Sequence, residues 1–147
     1  MAIEYTYYGA AALGTEALQN LLFTAIGGQP AAHGWLVHDG LTIAPFHVDP
    51  GEEAIAAKRL GFAHRVTVCF RFPSAHMGLQ APNIALMVRA VLSIFEQTGA
   101  DGVLLFNGEE AVLRCVDGEV LASADWQAWE GFAEVTELMA DVRTAPL

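Results

Sequence analysis

Three histidines, His33, His38 and His47, fall within fifteen residues, and imidazoles so grouped are natural ligands for zinc and related metals. With oxygen from Asp39 or Asp49 they could hold an ion that activates water, which would make the chain a small metal-dependent hydrolase. The spacing works against this. Strand alternation would put His33 and His38 on opposite faces, neither HxH nor HExxH occurs, and no cysteine lies near enough to complete a tetrahedral set. Asp39 and Asp49 both occupy ordinary turn positions. The expectation is therefore no metal and no cofactor, with the histidine hydrolase kept as the alternative reading.

Two other chemistries can be weighed in the same way. Cys69 could act as a nucleophile with His64 or His76 as base, helped by Arg65 and Arg71. A mid-strand position is poor for attack, however, so a buried structural thiol is expected. Glu109 and Glu110 sit at the turn end of a hairpin, where water keeps a carboxyl acidic and unsuited to proton donation. Neither GxGxxG nor GxxxxGK[ST] is present, so nothing cradles phosphate. No catalytic residue is assigned, and the chain is not expected to be an enzyme.

What remains is a surface. Glu130, Glu134, Glu137 and Asp141 recur at i, i+4, i+7 and i+11, as on one side of a terminal helix. Trp126 and Trp129, three apart as on one helical face, precede them. The residues could be a solvated face beside two core tryptophans. They could instead be a docking surface, with carboxylates steering a basic protein, an aromatic anchor adding affinity, and Glu109 and Glu110 as secondary contacts.

The charge balance bears on that second reading, though an acidic surface more commonly serves plain solubility. The 147 residues carry 17 acids against seven Lys and Arg, a net charge of −10. Residues 1–95 hold six acids and five bases, while residues 96–147 hold eleven acids and two bases, so the last third alone carries −9. Such a field repels phosphate backbones and anionic membranes, which excludes nucleic acid and lipid as partners. Hydrophobic residues at 54% can fill a core, and the length suits one domain, 1–147. The acidic start lacks the basic flank of an export signal. The uncharged run 17–38 is broken by Gly-Gly-Gln-Pro, too early for a membrane span. Two isolated cysteines fit a reducing compartment, hence a cytoplasmic protein.

The elements that would position these residues follow from periodicity. Residues 3–8 read as a first strand. Thr15 can cap a helix with Leu18, Leu21, Leu22, Ala25 and Ile26 inward and Gly27 as its stop. Asp39-Gly40 joins strands over 34–38 and 41–48, and a short helix is expected over 51–60. Residues 64–72 alternate, with Val66, Val68, Phe70 and Phe72 on one face and Arg65, Thr67, Cys69 and Arg71 on the other. Pro82 and Gly99 bracket a long helix with an inward stripe of Ile84, Met87, Val88, Val91, Leu92 and Phe95. Its apolar surface is wide enough to need cover on more than one side, or to support a homodimer. Asn107-Gly108 and Asp117-Gly118 then divide a three-stranded meander, and a helix with Phe132, Val135, Met139 and Val142 inward ends the chain. The fold class is α+β: one domain, an antiparallel-rich sheet with a C-terminal meander, covered by helices.

Part of this succession is familiar. Val66-Thr-Val-Cys-Phe-Arg-Phe72, Pro82-Asn-Ile-Ala-Leu-Met-Val-Arg-Ala-Val91, Gly99-Ala-Asp-Gly-Val-Leu-Leu-Phe-Asn-Gly108 and Glu110-Ala-Val-Leu-Arg-Cys-Val-Asp-Gly118, followed by Trp126 and Trp129, resemble the Sit immunity group of the swarm-inhibition-toxin family. The likeness spans roughly residues 64–130, with an echo in the opening Met-Ala-Ile-Glu-Tyr. The glycine- and histidine-rich stretch 27–61 does not share it. The resemblance implies a small bacterial protein, encoded beside a polymorphic toxin, that binds and neutralises the toxin by covering its active or substrate-binding surface. No catalytic residue is carried over.

Overall fold

A computed structural model of the chain describes residues 3–49, 58–59, 61–73 and 80–147. Its frame is a nine-stranded sheet in the order β2-β3-β4-β5-β1-β6-β7-β8-β9. The strand nearest the N-terminus, β1 (Ile3–Gly9), lies in the middle, antiparallel to β5 (Val66–Phe72) and β6 (Gly102–Phe106). On one side β2 (Gln29–Pro30), β3 (Leu36–His38) and β4 (Leu41–His47) complete one half. On the other, β7 (Glu110–Val116), β8 (Glu119–Ser123) and β9 (Arg143–Ala145) complete the second.

The hairpins form as the Asp-Gly and Asn-Gly pairs dictate. Asp39 and Gly40 adopt φ of 48° and 85°, Asn107 and Gly108 49° and 76°, Asp117 and Gly118 50° and 79°. These are the paired positive φ values that match a two-residue turn to the sheet's twist. The alternation of β5 holds as well: Val66, Val68, Phe70 and Phe72 are buried, while Thr67, Cys69 and Arg71 face the other way.

Three helices layer the buried face: α1 (Thr15–Ile26), α2 (Gln80–Thr98) and α3 (Ala133–Leu138). Helix α1 rests on β4 and on α2, and α3 closes the far flank of α2. The wide apolar surface of α2 thereby finds its cover, with Ile84, Met87, Val88, Ala90, Val91 and Ile94 all sealed. Asn83, buried at the start of α2, donates from Nδ2 to the Asp39 carbonyl at 3.3 Å and ties the helix to the β3–β4 turn. Gly99, at φ 64°, ends it. Beneath the helices the Tyr7 ring lies over two glycines paired across β1 and β6, Gly9 and Gly102. A Cβ added to Gly102 would lie 2.1 Å from the Tyr7 hydroxyl, so only glycine leaves the ring its place.

Four expectations change. Thr15 opens α1 rather than capping it; Gly14 is the cap and supplies no side-chain bond. Residues 124–132 form turns rather than a helix bearing Trp126 and Trp129. The terminal helix stops at Leu138, because the chain turns to lay Arg143–Ala145 parallel to the otherwise open edge of β8. Edge pairing satisfies backbone groups that one more helical turn would leave exposed. Finally, β2 is an extra edge strand. Of the helix expected over 51–60, Lys58 and Arg59 are helical and the rest lies outside the described residues.

Candidate functional site

The fold separates the three histidines. His33 sits exposed in a short 3₁₀ turn, with its ring 6.1 Å from that of Trp35. His38 pairs with Leu41 at the tight end of the β3–β4 hairpin, its Nδ1 3.5 Å from the Asp39 carboxylate. His47 ends β4, six residues beyond Leu41, which at strand spacing is roughly 20 Å away. It hydrogen-bonds instead to the Leu13 carbonyl at 2.8 Å. Among the described residues no three of His, Cys, Asp and Glu are placed to share an ion. The alternative hydrolase therefore finds no converging site in these residues.

The two thiols differ in burial. Cys69 stands opposite Thr6 and is half-buried; burial raises its pKa, with a Thr6 hydrogen bond partly opposing. His64 lies beyond the start of β5, edge-on to the Tyr8 ring at 5.4 Å, and His76 is outside the described residues. Cys115 is 1% exposed beside Tyr7, and desolvation pushes its thiol up to about 12. Burial likewise raises Tyr7 and Tyr5 above the ordinary tyrosine range.

The acidic residues fare differently, because of an aromatic cluster at one end of the sheet. Tyr5 packs against Phe72, Phe106, Trp126 and Trp129 at ring distances of 5.6, 5.1, 6.3 and 5.9 Å. Trp129 is 6% exposed and donates from Nε1 to the Tyr5 hydroxyl at 3.1 Å. Trp126 is half-buried, 5.0 Å from Phe106. Phe106 is the last residue before the β6–β7 turn, so the cluster fastens the 124–132 turns beside the hairpin tip. Glu109 and Glu110 on that tip, and Glu130 just after Trp129, are all exposed. Glu134 and Glu137 project from α3, and Asp141 from the turn after it. The four-residue acidic line thus spans a turn, a helix and a second turn rather than one helix.

Around them, every acid from Glu96 onward except Asp101 is exposed. Glu119 is bridged by Arg143 in an exposed pair with contacts of 3.1 and 2.5 Å. The sheet order gathers this charge on the β6–β9 half, since its strands and α3 are all drawn from residues 96–147.

A second surface escaped the sequence. On the face of the sheet away from the helices, Trp35, Thr42, Ala44, Phe46, Cys69, Arg71 and Glu4 line a groove of about 240 Å³. Arg71 donates to Glu4 at 3.1 and 3.3 Å on its rim, and Phe46 is 43% exposed. The signal was partly visible as the outward residues of the alternating strand. Trp35 and Phe46 joined them only when β4 paired with β5.

A family model described as SitI3-like matches residues 3–133. The chain belongs to the SitI3-like family. That membership agrees with the Sit immunity group identified from residues 64–130 and extends it through the glycine- and histidine-rich stretch, which had shown no likeness. No curated protein and no solved structure matches the chain. Among the described residues no helix is long and apolar enough to cross a membrane.

Proposed function

We propose that this protein is a cytoplasmic immunity protein that binds a cognate toxin domain and neutralises it by covering its active or substrate-binding surface. The SitI3-like match over residues 3–133 carries this reading. Occlusion requires no bond making, only a pre-organised surface that meets its partner with little ordering cost. The acidic end supplies such a surface, with Glu130, Glu134, Glu137 and Asp141 as principal contacts and Glu109 and Glu110 beside them. Trp129 supports it from within, and half-buried Trp126 offers the aromatic edge nearest the partner.

The charge selects the partner's chemistry. A net −9 on residues 96–147 attracts a basic toxin, such as a nuclease whose own substrate is a polyanion, and speeds encounter at low salt. The test is to mix purified protein with its toxin in a stopped-flow instrument, alongside an assay of the toxin's activity. Tight binding with loss of toxin activity is expected, and Glu134→Lys with Glu137→Lys should slow association and flatten its salt dependence. Full toxin activity in the presence of excess protein would overturn the reading. Unchanged kinetics in the double variant would remove these residues from the interface.

A further inference from the structure

The groove on the sheet face opposite α1, α2 and α3 is not used by the proposed toxin contact, and its chemistry is that of a self-complementary surface. Phe46, 43% exposed, is one of two large hydrophobic side chains left out in water among the described residues, with Phe23 at 48%. Phe46 lines the hollow together with Trp35, Thr42, Ala44 and Cys69. On the rim exposed Arg71 and partly exposed Glu4 set opposite charges side by side. A two-fold axis through such a surface brings residue i of one copy to residue j of the other and the reverse. Each Arg71 then reaches the second copy's Glu4 while each Phe46 enters the second copy's hollow.

Among the described residues, other surfaces are less suited to self-association. Helix α2 is covered by the sheet, α1 and α3. Strand β2 ends in Pro30 and β9 is three residues followed by Pro146, so both sheet edges are too short to pair. The cleft between α1 and α2, lined by Asn20, Leu21, Thr24, Ala25, Ser93 and Gln97, holds no charged side chain to orient a partner. Two copies with −10 each also repel, least where the chain is nearly neutral. Residues 1–95 sum to −1 and supply the whole groove.

We propose that two copies of this chain associate through the groove face, with Phe46 of each seated in the other and Arg71 and Glu4 exchanging partners across the two-fold axis. The chain alone, without toxin, tests this, so the result is independent of the immunity reading. Sedimentation equilibrium over a concentration series should give twice the 15.7 kDa chain mass. Phe46→Asp should weaken the dimer about 30-fold or more, as for a central anchor, with the circular dichroism spectrum unchanged. Arg71→Glu and Glu4→Arg should each weaken their own homodimer about tenfold, on the scale of a close charge pair. Mixed together, those two variants restore both cross pairs and should form a heterodimer in preference to either homodimer. A wild-type monomer at every concentration would overturn the proposal, as would a dimer persisting in folded Phe46→Asp. A monomer whose Phe46→Asp variant loses toxin binding would overturn it too, and would assign the groove to the toxin.

Discussion

The two halves of the sheet that meet at β1 are built from the same parts and finished differently. The β2–β5 half has a helix beneath it, a nearly neutral surface and an apolar groove with an exposed phenylalanine on its open face. The β6–β9 half also has a helix, but its aromatic rings gather around Tyr5 in a cluster that leaves only the edges of half-buried Phe106 and Trp126 at the surface, and its exterior is charged. One half leaves a large apolar side chain, Phe46, exposed at the surface, and the other keeps its rings at least half-buried. The difference separates two kinds of recognition: apolar fit with locally balanced charge, and long-range attraction through a one-sided field. A field acts before contact and a groove only after it, so one chain can serve two contacts without their competing.

Removing an aromatic ring from each half should break the symmetry most strongly. Trp129→Ala empties part of the aromatic cluster and orphans the Tyr5 hydroxyl, and should cost about 3–5 kcal/mol in urea unfolding. Phe46→Ala, on the open face, should cost under ~1 kcal/mol. Comparable losses would mean that the groove is part of the core.

Alkaline pH probes the seam. The Cys115 thiol rises from its ordinary 9.0 to about 12 because burial disfavours the thiolate. Between those values the unfolded chain releases a proton that the folded chain keeps. Stability is therefore fully present below pH 9 and falls as pH rises, by roughly 1.4 kcal/mol per unit. Urea midpoints measured from pH 8 to 11 should show the decline, and Cys115→Ala, less stable at neutral pH, should show a shallower slope.

Reversing charge tests the acidic half directly. Glu134→Lys with Glu137→Lys should slow toxin association several-fold while moving stability by no more than ~0.5 kcal/mol, since both side chains are exposed. The smallest effect belongs to the edge of that half. Arg143→Ala removes an exposed ion pair with Glu119 and should shift unfolding by about 0–1 kcal/mol. A larger shift would show that β9 holds the acidic surface in place.

Much of the frame was legible because short-range rules govern it. The turn pairs at 39–40, 107–108 and 117–118 need positive φ, which few residue types tolerate, and each formed a hairpin. Alternation sorted β5 correctly because a strand shows its faces every second residue. The terminal helix was over-extended because helical spacing in residues 130–141 says nothing of an unpaired strand edge nearby. Trp126 and Trp129 looked helical by spacing alone, yet their rings answer to Tyr5, more than a hundred residues away.

By itself, then, the sequence determined the turns, the two-faced strands, the long covered helix and the unequal division of charge. These depend on backbone preferences and composition, which act locally or do not depend on arrangement. Only the tertiary structure decided that β1 lies between the halves, that the histidines part, and that Trp35, Phe46, Arg71 and Glu4 share one hollow. Strand order and register arise from contacts between distant segments, whose free energy exists only once the core has closed around them.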